Sequence, residues 1–410
     1  MFDWIVIGGG AAGVFGAISA KQADPDANVL LLEKSAVLLS KVRISGGGRC
    51  NVTHSCFDPA LLNRNYPRGA KELIGPFHRF QPKDTVEWFS SRGVDLKTEE
   101  DGRMFPVSDQ SETIIDCLLT EARRSGVEIR MRQRIEKIER FSDYFELTLK
   151  EGQILQCRRL LLATGSSSEG HFFAQQLGHT IQKPVPSLFT FNIPSSPLKD
   201  LSGISLDSVQ VRIDQTSLVQ KGPLLITHFG FSGPAILKLS AWGARYLHEK
   251  EYRFEITLNW LPDFSEEAIL SCLLQTKKQT PQRILQNENP FALPKNLWKT
   301  LIDQSGADFQ KRVCDIPTKD FRILSNKLHR DLYLVEGKTT HKEEFVTCGG
   351  ISLNEVDFKT MESKICPDLF FAGEILDIDG ITGGFNFQNA WTTGFIAGVA
   401  PLIKGLPDLL

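Results

Sequence analysis

Residues 4 to 13 read Trp-Ile-Val-Ile-Gly-Gly-Gly-Ala-Ala-Gly, an apolar run that breaks into glycines at positions 8, 9, 10 and 13, and Glu33 follows twenty positions after the last of them. This pattern predicts a strand, a tight turn and a helix that together bind a dinucleotide. Gly8 permits the turn, Gly10 lets the backbone approach a pyrophosphate, and Gly13 lets helix and strand pack closely. The helix N-terminus adds unpaired N–H groups and the positive end of its dipole. Glu33 closes a second apolar run, Asn28 to Leu32, where its carboxylate is placed to accept from a ribose diol. The fold class expected from such a unit is α/β, with a Rossmann-like domain.

At 410 residues the chain has room for two or more domains. Its 47 Lys and Arg against 49 Asp and Glu give a net charge of −2, which excludes a global polyanion-binding signature, so any nucleic-acid surface is local. Eight scattered cysteines form no CxxC pair and no zinc spacing. That usage suits reduced thiols in a cytosolic protein, with no metal expected. No basic n-region precedes the first strand and no stretch of about 20 apolar residues occurs, so neither a signal peptide nor a membrane span is expected, and the expected location is cytoplasmic.

Along the chain, one style of sequence is interrupted by another. A glycine-rich loop, Ser45 to Asn51, and helix-like sequence lead to strand-like runs at Val127 to Met131, Phe145 to Leu149 and Arg159 to Ala163, the last ending in Ala163-Thr164-Gly165. From about 186 to 260, short alternating or β-branched runs between turn residues predict a small antiparallel barrel or sandwich. Residues 262 to 330 carry leucines at helical spacing. After Phe345 the first style returns, with a buried strand, Leu369 to Phe371, a second glycine-rich turn, Asp379 to Gln388, and a helix over Ala390 to Val399. The expected domains are therefore a discontinuous first domain over 1–185 and 346–410, an inserted β-barrel-like domain over 186–261 and 331–345, and a helical insert over 262–330.

The returning segment points to the ligand. Gly373-Glu374 follows a strand, where an acidic residue is placed to hold a ribityl chain, and Gly383-Gly384-Phe385-Asn386 precedes an Ala/Gly-rich helix. Such a helix start aims N–H groups at a flavin ring and stabilises its reduced, anionic form. Two distant glycine turns serving one extended cofactor favour FAD over NAD.

The stretches Ser45-Gly-Gly-Gly-Arg-Cys-Asn51, Gly102-Arg-Met-Phe-Pro-Val-Ser-Asp109, Thr227-His-Phe-Gly-Phe-Ser-Gly-Pro-Ala235, Thr360-Met-Glu-Ser-Lys364 and Gly373 through Trp391 resemble the bacterial YhiN/BaiN flavoprotein family over nearly the whole chain. The resemblance implies a split FAD domain carrying an inserted β-barrel domain and a helical domain. It also implies reduction of a conjugated carbon–carbon double bond, in a steroid dienone or in a ribosomal RNA uridine. Ser166 to His171 and His54 depart from the family pattern, which marks a different substrate rim. From the motifs and the resemblance together, the expected FAD-binding residues are Gly8, Gly10, Ala12, Gly13, Glu33, Lys34, Lys41, Ser45, Gly46, Gly47, Arg49, Asn51, Ile135, Thr164, Gly165, Gly373, Glu374, Gly383, Gly384, Phe385 and Asn386.

The chemistry requires a hydride carried by flavin and a proton for the other alkene carbon. No second GxGxxG lies between the two FAD segments, so NADH or NADPH is expected to dock transiently at the flavin face. In the Ser45 to Asn51 loop, Arg49 is placed to bind an anionic group, the FAD pyrophosphate being one choice, and Cys50 either donates the proton or packs the loop as a buried thiol. Lys41 reads either as an anion ligand or as a solvated surface lysine. His228 reads as a second candidate acid or as a turn histidine satisfied by backbone. Glu374 and Asp379 read as cofactor ligands or as an acid–base pair.

Between residues 277 and 330 eleven basic residues face five acidic ones, leaving the rest of the chain with a surplus of eight negative charges. That lobe suits docking of ribosomal RNA, or is a solvated helical face. The leading reading is an NAD(P)H-driven, FAD-dependent reductase of an activated C=C bond, with an RNA uridine ahead of a small conjugated enone. The reading of a different class is a flavoprotein amine oxidase, or an RNA-binding flavoprotein without turnover.

Overall fold

The computed structural model describes residues 1–339 and 346–404. It divides into two compact units, Met1–Pro186 with Lys342–Leu410, and Ser187–His341. Residues 340–345 of the expected barrel return and 405–410 of the expected final segment lie outside the described residues.

The first unit is built on parallel strands in the order Leu369–Phe371, Ile154–Leu162, Phe2–Ile7, Val29–Leu32, Glu128–Arg130. Strands covered on both faces are written as unbroken apolar runs, and Ile5, Leu30, Leu31 and Leu160 are buried accordingly. Register then does the work of assembly. Ile7 stands opposite Leu32 and Leu162, and Leu162 stands opposite Phe371. Gly8, Glu33, Ala163 and Ala372 therefore leave the sheet along one edge, the carboxyl ends of the strands, where open α/β sheets bind ligands. A hairpin, Ile135–Arg140 with Phe145–Leu149, continues from Ile154–Leu162 in antiparallel pairing.

The first helix, Ala11–Ala23, packs against the C-terminal helix, Phe385–Lys404. Their backbones touch: a Cβ on Gly394 would stand 2.6 Å from the Ala12 carbonyl oxygen, and one on Gly398 would stand 2.6 Å from that of Gly16. The C-terminal helix, expected from Ala390, starts five residues earlier at Phe385. Its N-terminus thus sits directly on the second glycine turn. A three-stranded antiparallel sheet, Thr53–His54, Arg103–Pro106 and Leu96–Thr98, was not foreseen in the sequence because its strands are too short to show a period.

In the second unit a seven-stranded antiparallel sheet runs Asp331–Glu336, Arg253–Asn259, Ser205–Ile213, Val219–Thr227, Gly230–Ser232, Thr190–Asn192, Lys338–Thr339. Its outermost members are two halves of one segment bent at Gly337, where φ is +135°. The hydrogen-bond path starts and ends on the same stretch, and the sheet closes into a barrel. Helices Glu266–Gln279, Lys295–Gln304 and Thr318–His329 share one hydrophobic core with it, through Leu273, Trp298, Leu301, Phe321 and Leu324 against Ile256, Leu258 and Trp260. Among the described residues no helix is long and apolar enough to cross a membrane.

Candidate functional site

The first glycine turn is shaped by close approach. Gly8 has φ +112°, and a Cβ there would stand 2.4 Å from the Ala163 carbonyl oxygen; one on Gly13 would stand 1.9 Å from the Gly8 carbonyl oxygen. Gly10 differs. It caps the first helix without a side-chain hydrogen bond, the first turn carries no acidic residue, and a Cβ on it would meet no atom of the chain within 4 Å. The amides at this helix start are thus uncapped beside open space, which fits a pyrophosphate. Glu33 accepts from Gly9 N–H at 2.7 Å and from Ser35 N–H at 2.8 Å, so it pins the turn as well as facing it.

Along the same edge, Glu374 Oε1 accepts from Thr347 N–H at 3.0 Å while Oε2 pairs with Lys41. Gly165 lies beside it, its position for a Cβ 3.7 Å from Glu374 Oε2. Gly373, with φ +75°, lets the first helix come close: a Cβ would meet that of Ala12 at 2.8 Å. Four buried polar atoms near these strand ends and the C-terminal helix start, Thr164 Oγ1, Thr347 Oγ1, His171 Nε2 and Asn389 Oδ1, have no hydrogen-bond partner among the described residues. Unsatisfied buried groups are costly, and together with the open Gly10 cradle they fit a polyhydroxylated dinucleotide such as FAD. Burial lowers the His171 pKa, with the nearby Glu374 charge pulling the other way.

The second glycine turn closes on the chain itself. With its amide turned to satisfy both neighbours, Asn51 donates to the Thr53 carbonyl at 3.1 Å and accepts from Gly384 N–H at 2.9 Å. The His54 ring stacks on Phe385 at 4.7 Å, and Tyr66 donates its hydroxyl to the Phe385 carbonyl at 2.7 Å. Phe385 is buried, and the Asn386 amide bridges both backbone groups of Gly380, at 2.8 and 2.9 Å. The side chains of Phe385 and Asn386, expected to touch cofactor, also hold the turn. Asp379 is fully buried against the Arg68 guanidinium, so it is a structural ion pair and not half of an acid–base couple with Glu374.

The Ser45 to Asn51 loop reads through Ser40–Gly48, a helical segment broken at Ser45, after which Gly46, Gly47 and Gly48 all take positive φ. Gly47 and Gly48 face open space. Two side chains of this loop are engaged within the chain. Arg49 finds its anion within the chain: Glu99 Oε1 at 2.7 Å, with Asp109 at 3.6 Å and the Phe105 ring 4.0 Å beneath, and Glu99 holds the guanidinium charged. Cys50 is fully buried, and burial pushes its thiol up to about 12. A thiol so placed is a weak acid, which favours the packing role.

Lys34 pairs with Glu169 at 2.6 Å, and Ile135 is half-buried at a bulge in its hairpin. His228 belongs to the second unit, in the exposed turn between Val219–Thr227 and Gly230–Ser232. Sequence reasoning missed the buried network around Gln388: Thr53 and Thr85 donate to its Oε1 at 2.6 and 2.9 Å, its amide donates to Thr392, and Thr392 donates to the Phe80 carbonyl. Polar residues one turn apart in an apolar helix, Gln388 and Thr392, were the available signal.

A model of the HI0933-like protein Rossmann domain matches residues 2–400. The chain is 30% identical over 405 residues to a ribosomal RNA dihydrouridine synthase of Escherichia coli, covering 96% of each, and 28% identical over 405 residues to a 3-dehydro-bile acid delta(4,6)-reductase of Clostridium scindens, covering 96% of this chain and 98% of that protein. Among solved structures, a 3-ketosteroid-delta4-(5alpha)-dehydrogenase from Rhodococcus jostii RHA1 has the same fold with a TM-score of 0.50 at 13% identity, covering 97% of this chain and 96% of that one.

Proposed function

The chain belongs to the HI0933-like Rossmann-domain family, and from that premise we propose that it is an FAD-dependent oxidoreductase that uses NADH or NADPH to reduce an activated C=C bond, with a uridine of ribosomal RNA as substrate. The observation that carries the cofactor assignment is the convergence of the Gly8–Gly13 turn, Glu33, Thr164–Gly165 and Gly373–Glu374 on one sheet edge beside an uncapped helix start. When bound, FAD supplies two-electron chemistry, taking hydride from a nicotinamide and passing it to the alkene. The chain's own residues would hold and orient the cofactor, the proton for the second alkene carbon coming from a donor at the substrate's approach. The first helix's amides hold the pyrophosphate, Glu33 takes the ribose, and Glu374, fixed by Lys41 and Thr347, is set for the ribityl hydroxyls. The Gly46–Gly48 turn, exposed at Gly47, is the place for substrate to approach.

RNA is favoured over a small enone by the cationic surplus of residues 277 to 330 and by the dihydrouridine synthase relative. The enone keeps a place through the bile-acid reductase relative. Mass mapping of ribosomal RNA from a strain lacking this protein tests the reading. Loss of one dihydrouridine, restored by the wild-type chain, is expected; an unchanged dihydrouridine pattern contradicts it.

A further inference from the structure

The second unit carries a cleft of about 540 Å³ that the cofactor site does not use. Its floor is the outward face of the barrel, where register sets Gln210 beside Asn259 and places Thr257 between Arg212 on one side and Leu332 on the other. Its wall is the C-terminal end of helix Thr318–His329, which contributes His329 and Arg330.

The hydrogen bonds fix what this cleft offers. Leu261 N–H donates to Asn259 Oδ1 at 2.9 Å, so the Asn259 amide nitrogen points at His329 Nδ1, 3.1 Å away. His329 Nδ1 must then accept, and its ring proton sits on Nε2 as a donor. Thr257 gives its hydroxyl proton to Asp214 at 2.7 Å, tying up one oxygen of the one acid that lines the cleft. Arg212 and Arg330 make no ion pair among the described residues, whereas Arg253 and Arg283 of the same unit are each matched by a glutamate. Two unmatched guanidiniums beside an imidazole donor call for an anion, and planar donor forks suit phosphate. Leu332, 65% exposed, is the one aliphatic side chain among the residues lining the cleft and gives its floor an apolar surface.

The charge does not stop at the cleft. Lys319, Arg322, Asn326 and Arg330 recur at three- and four-residue spacing on the exposed face of the helix and its cap, opposite the buried Phe321, Leu324 and Leu328. From Arg322 to Arg330 the rise is about 12 Å, a track for a strand and more than one phosphate needs. The neighbouring Lys327 is different: it pairs with the buried Asp331 at 2.7 Å and belongs to the fold.

We propose that this cleft holds one nucleotide of single-stranded RNA, its phosphate between Arg212 and Arg330 and its base on Leu332, while Lys319 and Arg322 meet the phosphates of its neighbours. The proposal rests on the RNA reading of the substrate and adds where the second unit grips it.

The test is fluorescence anisotropy of the holoprotein with a labelled unstructured 12-nucleotide RNA across a salt series, for wild type and for the double variant Arg212→Ala/Arg330→Ala. Affinity at low salt is expected to fall at least tenfold, and the slope of log K against log salt to flatten by about 1.4, the value for two lost phosphate contacts on a single strand. Melting temperature and FAD content report that the variant is folded. Arg212→Lys/Arg330→Lys is expected to keep most of the slope, since charge sets it. Wild-type affinity in the alanine variant overturns the site, as does wild-type protein that ignores RNA, or RNA displaced more readily by polyaspartate than by unlabelled RNA. Dihydrouridine mapping is scored separately: RNA bound through these arginines without uridine reduction sinks the substrate reading alone, and uridine reduction with no loss of binding in the variant sinks the cleft alone.

Discussion

The places that invite an anion are built differently in the two units. In the first, Arg49 pairs with Glu99, Arg68 with Asp379, Arg92 and Arg124 with Glu121, and Arg140 with Asp368. What that unit leaves uncapped is backbone, the amides around Gly10. In the second, Arg212 and Arg330 line a cleft with no ion pair among the described residues. A cofactor's pyrophosphate is suited by preorganised amides, which hold it without side-chain entropy, whereas a passing polyanion is suited by mobile side-chain charge that salt can tune.

The contrast is broken first at Arg68. Removing it leaves the Asp379 carboxylate, fully buried, without its cation, and the expected loss is about 3–5 kcal/mol in denaturant unfolding of Arg68→Ala. Arg330→Ala, by the same measurement, is expected within about 0.5 kcal/mol of wild type. Equal losses in the two variants would erase the distinction between internal and outward charge.

A smaller effect should follow pH. Burial lowers the pKa of His179, with Glu355 Oε2 at 3.1 Å from Nδ1 pulling against it, and Ser363 Oγ lies 2.8 Å from Nε2. Since the folded value lies below the unfolded one, near 6.5, the unfolded chain protonates first, and stability present above that pH is lost as pH falls through it. His171 adds in the same direction. Urea unfolding at pH 7.5 and 5.5 should show wild type losing more stability on acidification than His179→Gln; parallel losses would deny the linkage.

The smallest effect belongs to Cys50→Ala. If the thiol only packs the loop, the variant costs about 1 kcal/mol, and reoxidation of reduced enzyme by substrate in a single anaerobic turnover stays within about threefold of wild type. A fall of about 10²-fold or more would restore it as the proton donor.

These particulars also show what a sequence can disclose. The strand, glycine turn and Glu33 were legible because backbone geometry there demands glycine at set positions, and that demand is local. The parallel strands were legible because burial on both faces writes an apolar run. The ion pairs at the two glycine segments were not, since Arg68 meets an acid 311 residues away and Arg49 meets one 50 away. A guanidinium announces that it needs an anion; which anion answers is a matter of tertiary packing. Likewise the sequence set Phe385 and Asn386 ahead of the helix, whereas in the fold they begin it, the Phe385 ring stacked on His54, its carbonyl accepting from Tyr66, and the Asn386 amide bonded to Gly380, all partners that only the fold brings there.

The most direct test of the account is the FAD content of purified Gly10→Ala measured beside its melting temperature. A Cβ at Gly10 meets no atom of the chain within 4 Å and φ there is −86°, so the fold has room for it and the pyrophosphate does not. The account predicts a protein that melts with the wild-type apoprotein and has lost most of its flavin. Wild-type flavin content in that folded variant would contradict the assignment of this edge as the cofactor site.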